Sequence, residues 1–307
     1  MKNQKLSVSL YCVAAAMIWG ISFVVQKTGA SVGTFTFTGI RMIVACVALL
    51  PVIVFNQYRK NRGVPKNQRN KTDIKTVLRG GMVTGIILTI SINLQQHAFT
   101  YDIEAGKVAF ITALYMILVP VLGLFLRKRP PFNIWIGVFL GTAGLYFICV
   151  KKGDLGTGTG EILSLACALG FALHILAIDK YGAKLDALIY AFCQFFVTGV
   201  LSVICMFIFE KPHISEITGA GLNILYAGIM GSACAFTFQV MGQQRSEPAI
   251  AGLLLCLESV FAVLFGWLIL HDNLGTRVLI GCAVMFSGVL MTQIPFDKIK
   301  GRKKIKC

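Results

Sequence analysis

The sequence predicts an all-α polytopic membrane protein, with ten transmembrane helices arranged as two inverted five-helix repeats. Three observations carry that fold class. Hydrophobic residues make up 56% and charged residues 14% of the 307, with a mean hydropathy of +0.75. A soluble chain of this length needs more charge to cover its surface. Apolar runs of about twenty residues recur, the length a helix needs to cross roughly 30 Å of hydrocarbon. The chain also matches itself at a long, nearly fixed offset.

The runs place spans at about 6–26, 32–55, 77–99, 104–126, 133–150, 160–179, 187–209, 217–240, 248–270 and 276–295. The first follows a basic start, Met1–Lys5, and Ala14–Ala16 resembles a cleavage site. Its apolar run continues through Trp19 to Val25, too long for a signal-peptide core, so it reads as an uncleaved span. Trp19, Ser22 and Gln26 fall together on it, and Trp19 lies too deep for an interfacial belt. Span 2 sets Thr34, Thr38 and Arg41 on one side. Arg41 is about nine residues in, roughly 14 Å at 1.5 Å per residue. Span 3 steps by four through Gly81, Gly85, Thr89, Asn93 and His97, with Gln96 beside its outer end. The glycine end reads as close helix packing; Asn93, Gln96 and His97 either line a cavity or pack.

Span 4 carries Lys107 a turn from its outer end, then Tyr115 and Pro120. Lys107 either snorkels to the headgroups or faces the bundle. Pro120 removes a helix hydrogen bond, so a kink is expected there. His174 in span 6 sits between Gly170 and Ala177, as a core histidine or a lining one. Span 7 aligns Tyr190, Gln194 and Thr198, and span 8 carries Gln239. Span 9, "LLLCLESVFAV", holds Glu258, the one carboxylate clearly at mid-depth. An intramembrane ionisable residue is costly toward lipid and is expected to face the bundle. Glu258 is either paired with Arg41 or Lys107, or a proton or substrate-cation site. Glycines 137, 141 and 144 of span 5 and 281 and 288 of span 10 read as tight helix contacts.

The net charge of +16 is distributed by topology. With the N-terminus inside, the inner segments hold 21 Lys and Arg and the outer loops five. The positive-inside rule therefore puts both termini in the cytoplasm of a cell that carries the protein in its cytoplasmic membrane. The basic loop 56–76 and the tail 296–307 orient the chain against anionic lipid rather than bind nucleic acid. Nine of the ten cysteines lie inside spans, where Cys acts as a small apolar residue. No spacing suggests a metal site, and no motif calls for a cofactor.

A shift of 143 residues superposes Gly85 on Gly228, Thr89 on Ser232, Gln96 on Gln239, Gly123 on Gly266 and Tyr115 on Glu258. A shift of 144 matches Gly137 with Gly281 and Gly144 with Gly288; one of about 152 matches Trp19 with Phe171 and Ser22 with His174. The halves are expected at 1–152 and 153–307. Five spans in each make the second enter the membrane inverted, the plan of secondary transporters with a midplane binding site.

"WGISF" in span 1, "TALYMILVPVLGLFLRKRPP" (112–131) and "ESVFAVLFGWLILHDNLG" (258–275) resemble the EamA-type transporters of the drug/metabolite transporter superfamily. The resemblance covers the whole chain and implies a ten-helix bundle working by alternating access, with export the default direction. Two departures stand out. Leu257-Glu258-Ser259-Val260 replaces the family's frequent Leu-Glu-Pro-Val, and His271-Asp272 replaces its Gly-Glu.

The expected function is a secondary carrier, monomeric or homodimeric in the bilayer, exporting a small polar molecule such as an amino acid. Candidate binding or coupling residues are Glu258, Arg41, Lys107, His174, Trp19, Ser22, Asn93, Gln96, His97, Tyr115, Gln194 and Gln239. The alternatives are a cationic drug or metabolite exporter and a non-transporting scaffold. An enzyme would need a nucleophile–base pair or metal ligands at depth, and neither is legible.

Overall fold

Backbone polar groups have no water to bond in hydrocarbon, so each apolar run closes its hydrogen bonds internally as a helix. A computed structural model describes residues 2–62, 73–101, 103, 105–128, 130–149, 158–183, 185–270 and 275–293. The middle of the basic loop (63–72), the expected repeat boundary at 152/153, residues 271 and 272, and the tail 296–307 lie outside the described residues. The helices are α1 (Lys2–Thr28), α2 (Thr34–Asn61), α3 (Ile74–Ala98), α4 (Ala105–Ala113), α5 (Tyr115–Phe125), α6 (Phe132–Cys149) and α7 (Thr159–Tyr181). There follow α8 (Ala187–Phe209), α9 (Ile214–Gly219), α10 (Gly221–Tyr226), a π-helical stretch (Ala227–Cys234), α11 (Ala235–Gln243), α12 (Pro248–Leu255), α13 (Glu258–Leu270) and α14 (Thr276–Gln293). No strand occurs among the described residues.

Among the described residues, eight helical runs are long and apolar enough to cross a membrane, and the apolar stretches Phe132–Ile148 and Thr276–Thr292 are somewhat shorter. Together they make ten passes, so α1 begins and α14 ends on one face, here the near face. The outward side chains are apolar: Val54, Phe139, Phe207 and Leu290 are all more than 60% exposed, as a lipid-facing rim requires.

The packing is reciprocal between halves. α3 lies on α7 and α8, while the counterpart run α10–α11 lies on α1 and α2; α2 lies along α8, and α6 along α14. The glycines give the detail. A Cβ on Gly144 would stand 2.6 Å from the Gly281 carbonyl, and one on Gly281 2.7 Å from that of Gly144. Gly137 and Gly288 oppose each other in the same reciprocal way, at 2.9 and 2.8 Å. Sequence number rises along α6 as it falls along α14, so the two cross antiparallel about a two-fold axis. Gly85 would meet the Gln194 carbonyl at 3.0 Å and its register mate Gly228 the Arg41 carbonyl at 2.8 Å.

The fourth and ninth passes are broken, the fourth at a place other than Pro120. α5 runs through Pro120; the interruption falls at Leu114. There the Ile117 N–H donates to Leu114 at 2.9 Å and leaves the Ala113 carbonyl free of its usual partner. That carbonyl accepts instead from the Cys256 thiol at 3.3 Å. The ninth pass breaks at the register-equivalent place, where the Leu257 N–H turns back to Leu254 at 3.3 Å and that of Ser259 to Cys256 at 3.2 Å. No proline lies at either interruption, and the Cys256–Ala113 contact joins the two passes there.

The far-face end of α2 is capped by another helix. Glu210, after α8, accepts from the Phe35 and Thr36 N–H groups at 2.9 and 2.8 Å and from the Thr36 hydroxyl at 2.7 Å. Gly33, with φ +99°, lets the carboxylate in; a Cβ there would stand 2.8 Å from it.

Candidate functional site

The two breaks meet beside a narrow, largely enclosed cavity of about 40 Å³ between the halves. Its polar lining is Ser22, Gln26, Arg41, Gln95, Thr112, Tyr115, Gln239 and Glu258, and its aromatic walls include Trp19, Phe23, Phe171 and Phe236.

α1 supplies one wall through an i, i+3, i+7 face of Trp19, Ser22 and Gln26. The Trp19 indole donates to the Gly231 carbonyl at 2.9 Å. Gly231 belongs to the π-helical stretch, whose altered hydrogen bonding accompanies this close approach; a Cβ at Gly231 would lie 3.0 Å from the Ser22 hydroxyl. Trp19 stands edge-on to Phe236, with ring centres 4.8 Å apart. Gln26 is held at both ends: its Oε1 accepts from the Arg41 guanidinium at 3.1 Å, and its backbone carbonyl accepts from the Gln96 amide at 3.1 Å.

Arg41 is 4% exposed and lies 5.8 Å over the Phe37 ring, while its Nε, buried, has no protein partner. Glu258 is 3% exposed and opens α13. It accepts one hydrogen bond, from the Tyr115 hydroxyl at 3.4 Å. The expected ion pair of Glu258 with Arg41 or Lys107 does not form among the described residues: Arg41 turns to Gln26, and Lys107 pairs with Glu161 at 2.7 Å. The cavity therefore presents a guanidinium and a carboxyl group that do not neutralise each other directly. The Gln239 Oε1 is also buried without a partner.

Six of the twelve candidate residues line this cavity: Trp19, Ser22, Arg41, Tyr115, Gln239 and Glu258. The other six are placed elsewhere, each for a local reason. Asn93 donates to Thr89 and to the Ser202 hydroxyl at 2.9 Å, because the small-residue stripe of α3 faces α8. Gln96 supports Gln26 from behind. His97 meets the Thr34 hydroxyl at 3.2 Å beside Tyr101. His174 and Gln194 bond each other at 3.1 Å behind Phe236. Lys107 sits toward the far face. Sequence reasoning passed over Gln95 and Thr112. Gln95 shares an i, i+3 face with Ile92, another cavity residue, but the sequence carries no mark that prefers that face to the one of Gln96.

The model of the EamA-like transporter family matches residues 6–150 and 158–294. A protein of Bacillus subtilis (strain 168), described as the uncharacterized transporter YoaV, is 24% identical over 301 residues, covering 96% of this chain and 99% of that one. An uncharacterized transporter of Archaeoglobus fulgidus is 27% identical over 294 residues, covering 95% and 87%. PecM of Dickeya dadantii is 26% identical over 211 residues, covering 67% and 70%. A protein crystal structure 20% identical in sequence superposes with a TM-score of 0.75 over 96% of this chain and 99% of that one, a likeness of fold.

Proposed function

This chain belongs to the EamA-like transporter family, a membrane transporter by descent, and from that premise we propose that it is a carrier, not an enzyme, exporting a small zwitterion such as an amino acid. The near face is then cytoplasmic, because the segments assigned to it hold 21 of the Lys and Arg residues against five on the far side. The cavity is the substrate site, reached alternately from the two faces. One observation carries the reading: Arg41 and Glu258 line one cavity, and neither is spent on the other. A solute carrying a carboxylate and an ammonium satisfies both, its carboxylate on the guanidinium and its ammonium on Glu258. Gln239 and Gln26 supply neutral polar contacts, and the aromatic walls exclude water.

The second reading, a cationic exporter, draws on the aromatic walls, on Lys107 lying outside the cavity and on Arg41 sitting over Phe37. In both readings Glu258 takes the positive group, and a proton occupies it when the solute has left. Flux in proteoliposomes with labelled amino acids, with and without a pH gradient, separates them. Glu258→Gln is expected to abolish the response to the gradient, and Arg41→Met to cut amino-acid flux at least tenfold. Wild-type flux and pH response in Glu258→Gln remove the proton role; full amino-acid flux in Arg41→Met leaves the cationic reading.

A further inference from the structure

A second cleft, of about 550 Å³, lies between the near-face ends of α5 and α7 and the turn joining α11 to α12. Its lining includes Lys128, Asp179, Gln243, Arg245, Glu247 and Ala249, two cations balanced by two anions. Gln243, the last residue of α11, is 2% exposed, and neither atom of its carboxamide has a hydrogen-bond partner. A buried amide with donor and acceptor both unspent is costly to keep unless something else completes it. The turn is held by the neighbouring Gln244, also on the cleft wall, which donates to the Gly182 and Leu185 carbonyls at 2.9 and 2.8 Å, so Gln243 is not needed for that anchoring.

Two more features share the wall. Lys128 and Asp179 form an ion pair across the cleft, with side chains 40% and 25% exposed, open enough for a solute to reach. α12 begins here after Glu247 with no side-chain cap, so the first-turn N–H of Ala249 has neither an intrahelical partner nor a cap. Such a helix start favours an anion.

We propose that this cleft is a recognition subsite for a small zwitterion on the near face, where the solute docks before it reaches the central cavity. The solute separates the ion pair and replaces each half: its ammonium takes Asp179, and its carboxylate takes Lys128 and the Ala249 N–H. The Gln243 amide turns up from the floor to complete the remaining polar atom. Every charge that loses a partner in this exchange gains one, so a zwitterion fits where a simple cation or anion strands one of the pair. The choice of solute rests on the carrier reading above; the subsite itself is read from the cleft.

The test is equilibrium binding of labelled amino acids to the purified full chain in lipid nanodiscs, for wild type, Gln243→Leu, Lys128→Met, Asp179→Asn and Arg41→Met. Two binding sites are expected in wild type. Gln243→Leu should weaken one of them about tenfold, and Arg41→Met the other. A single site lost in Arg41→Met and untouched by the three cleft variants overturns the subsite and leaves the central reading standing. A single site lost in the cleft variants and untouched by Arg41→Met supports the subsite and removes the central one. No amino-acid binding in any form overturns both. Lys128 and Asp179 lie at the rim, so their variants report the same outcome if Gln243→Leu fails to fold.

Discussion

Trp19 joins the wall of the cavity to a backbone irregularity, and it shows how one side chain sets local geometry here. Its indole N–H meets the Gly231 carbonyl at 2.9 Å inside the π-helical stretch. Trp19→Phe keeps the aromatic contact with Phe236 but strands that carbonyl. The expected cost is about 1 kcal/mol, read as a lower thermal midpoint in detergent, with slower flux because the wall of the cavity relaxes. An unchanged midpoint would mean that the carbonyl finds another donor. Deep charged and aromatic residues of this kind are legible in a sequence, since lipid leaves them few places to go. Arg41, Glu258, Tyr115 and Trp19 were readable for that reason. Gln95 was not, because Gln96 beside it has the same chemistry and one residue turns a helix by about 100°. Periodicity fixes a face only to within such a step, and the neighbours on the other helices decide which glutamine reaches the cavity.

Among the elements, α6 and α14 cross backbone to backbone, and glycine is what permits it. A side chain at Gly144 would press on the Gly281 carbonyl at 2.6 Å and on the backbone nitrogen of Met285 at the same distance. Gly144→Val should therefore separate the two helices and cost more than about 2 kcal/mol, whereas Gly123→Ala, whose Cβ would meet the Lys128 Cβ at 3.8 Å, should be nearly neutral. Thermal unfolding of the two variants in one detergent decides it; equal midpoints would show that the crossing tolerates a spacer. At the near-face start of α3, Asp73 accepts from the Thr76 N–H at 3.3 Å and the Thr76 hydroxyl at 2.5 Å, and these bonds hold its carboxyl below the usual aspartate range. A depressed acid stabilises the fold above its unfolded pKa, and that contribution fades as pH falls through the folded value. Asp73→Ala should accordingly lower the midpoint at neutral pH and lose its effect in acid. Glycine spacing was visible in the sequence. The breaks at Leu114 and Leu257 were not, because no proline marks them and the Ala113 carbonyl, freed at the break, is satisfied by a thiol 143 positions away.

At the scale of the whole molecule, the reciprocal packing of the halves was readable from the 143-residue offset, but the ion pairs that break the symmetry were not. Lys107–Glu161 ties α4 to α7 toward the far face, and Lys128–Asp179 ties the chain just after α5 to α7 at the near face. The cavity lies between these ties, and both are closed in this arrangement. A third pair, Lys60–Asp186, joins the near-face ends of α2 and α8, and a carrier that opens to one face at a time must release the ties on that face while keeping those on the other. Partly exposed pairs of this kind are each worth up to about 1 kcal/mol, enough to shift a two-state population about fivefold. Lys107→Met should therefore favour the form open to the far face, and Lys128→Met the form open to the near face. The measurement is labelling of Ser22→Cys, in a chain whose ten native cysteines are replaced, by a membrane-impermeant thiol reagent in vesicles of each orientation. Lys107→Met should label faster when the far face is outside, and Lys128→Met when the near face is outside. If both variants label like the parent from both sides, the two ties hold helices together without controlling access, and the barriers lie at the helix breaks.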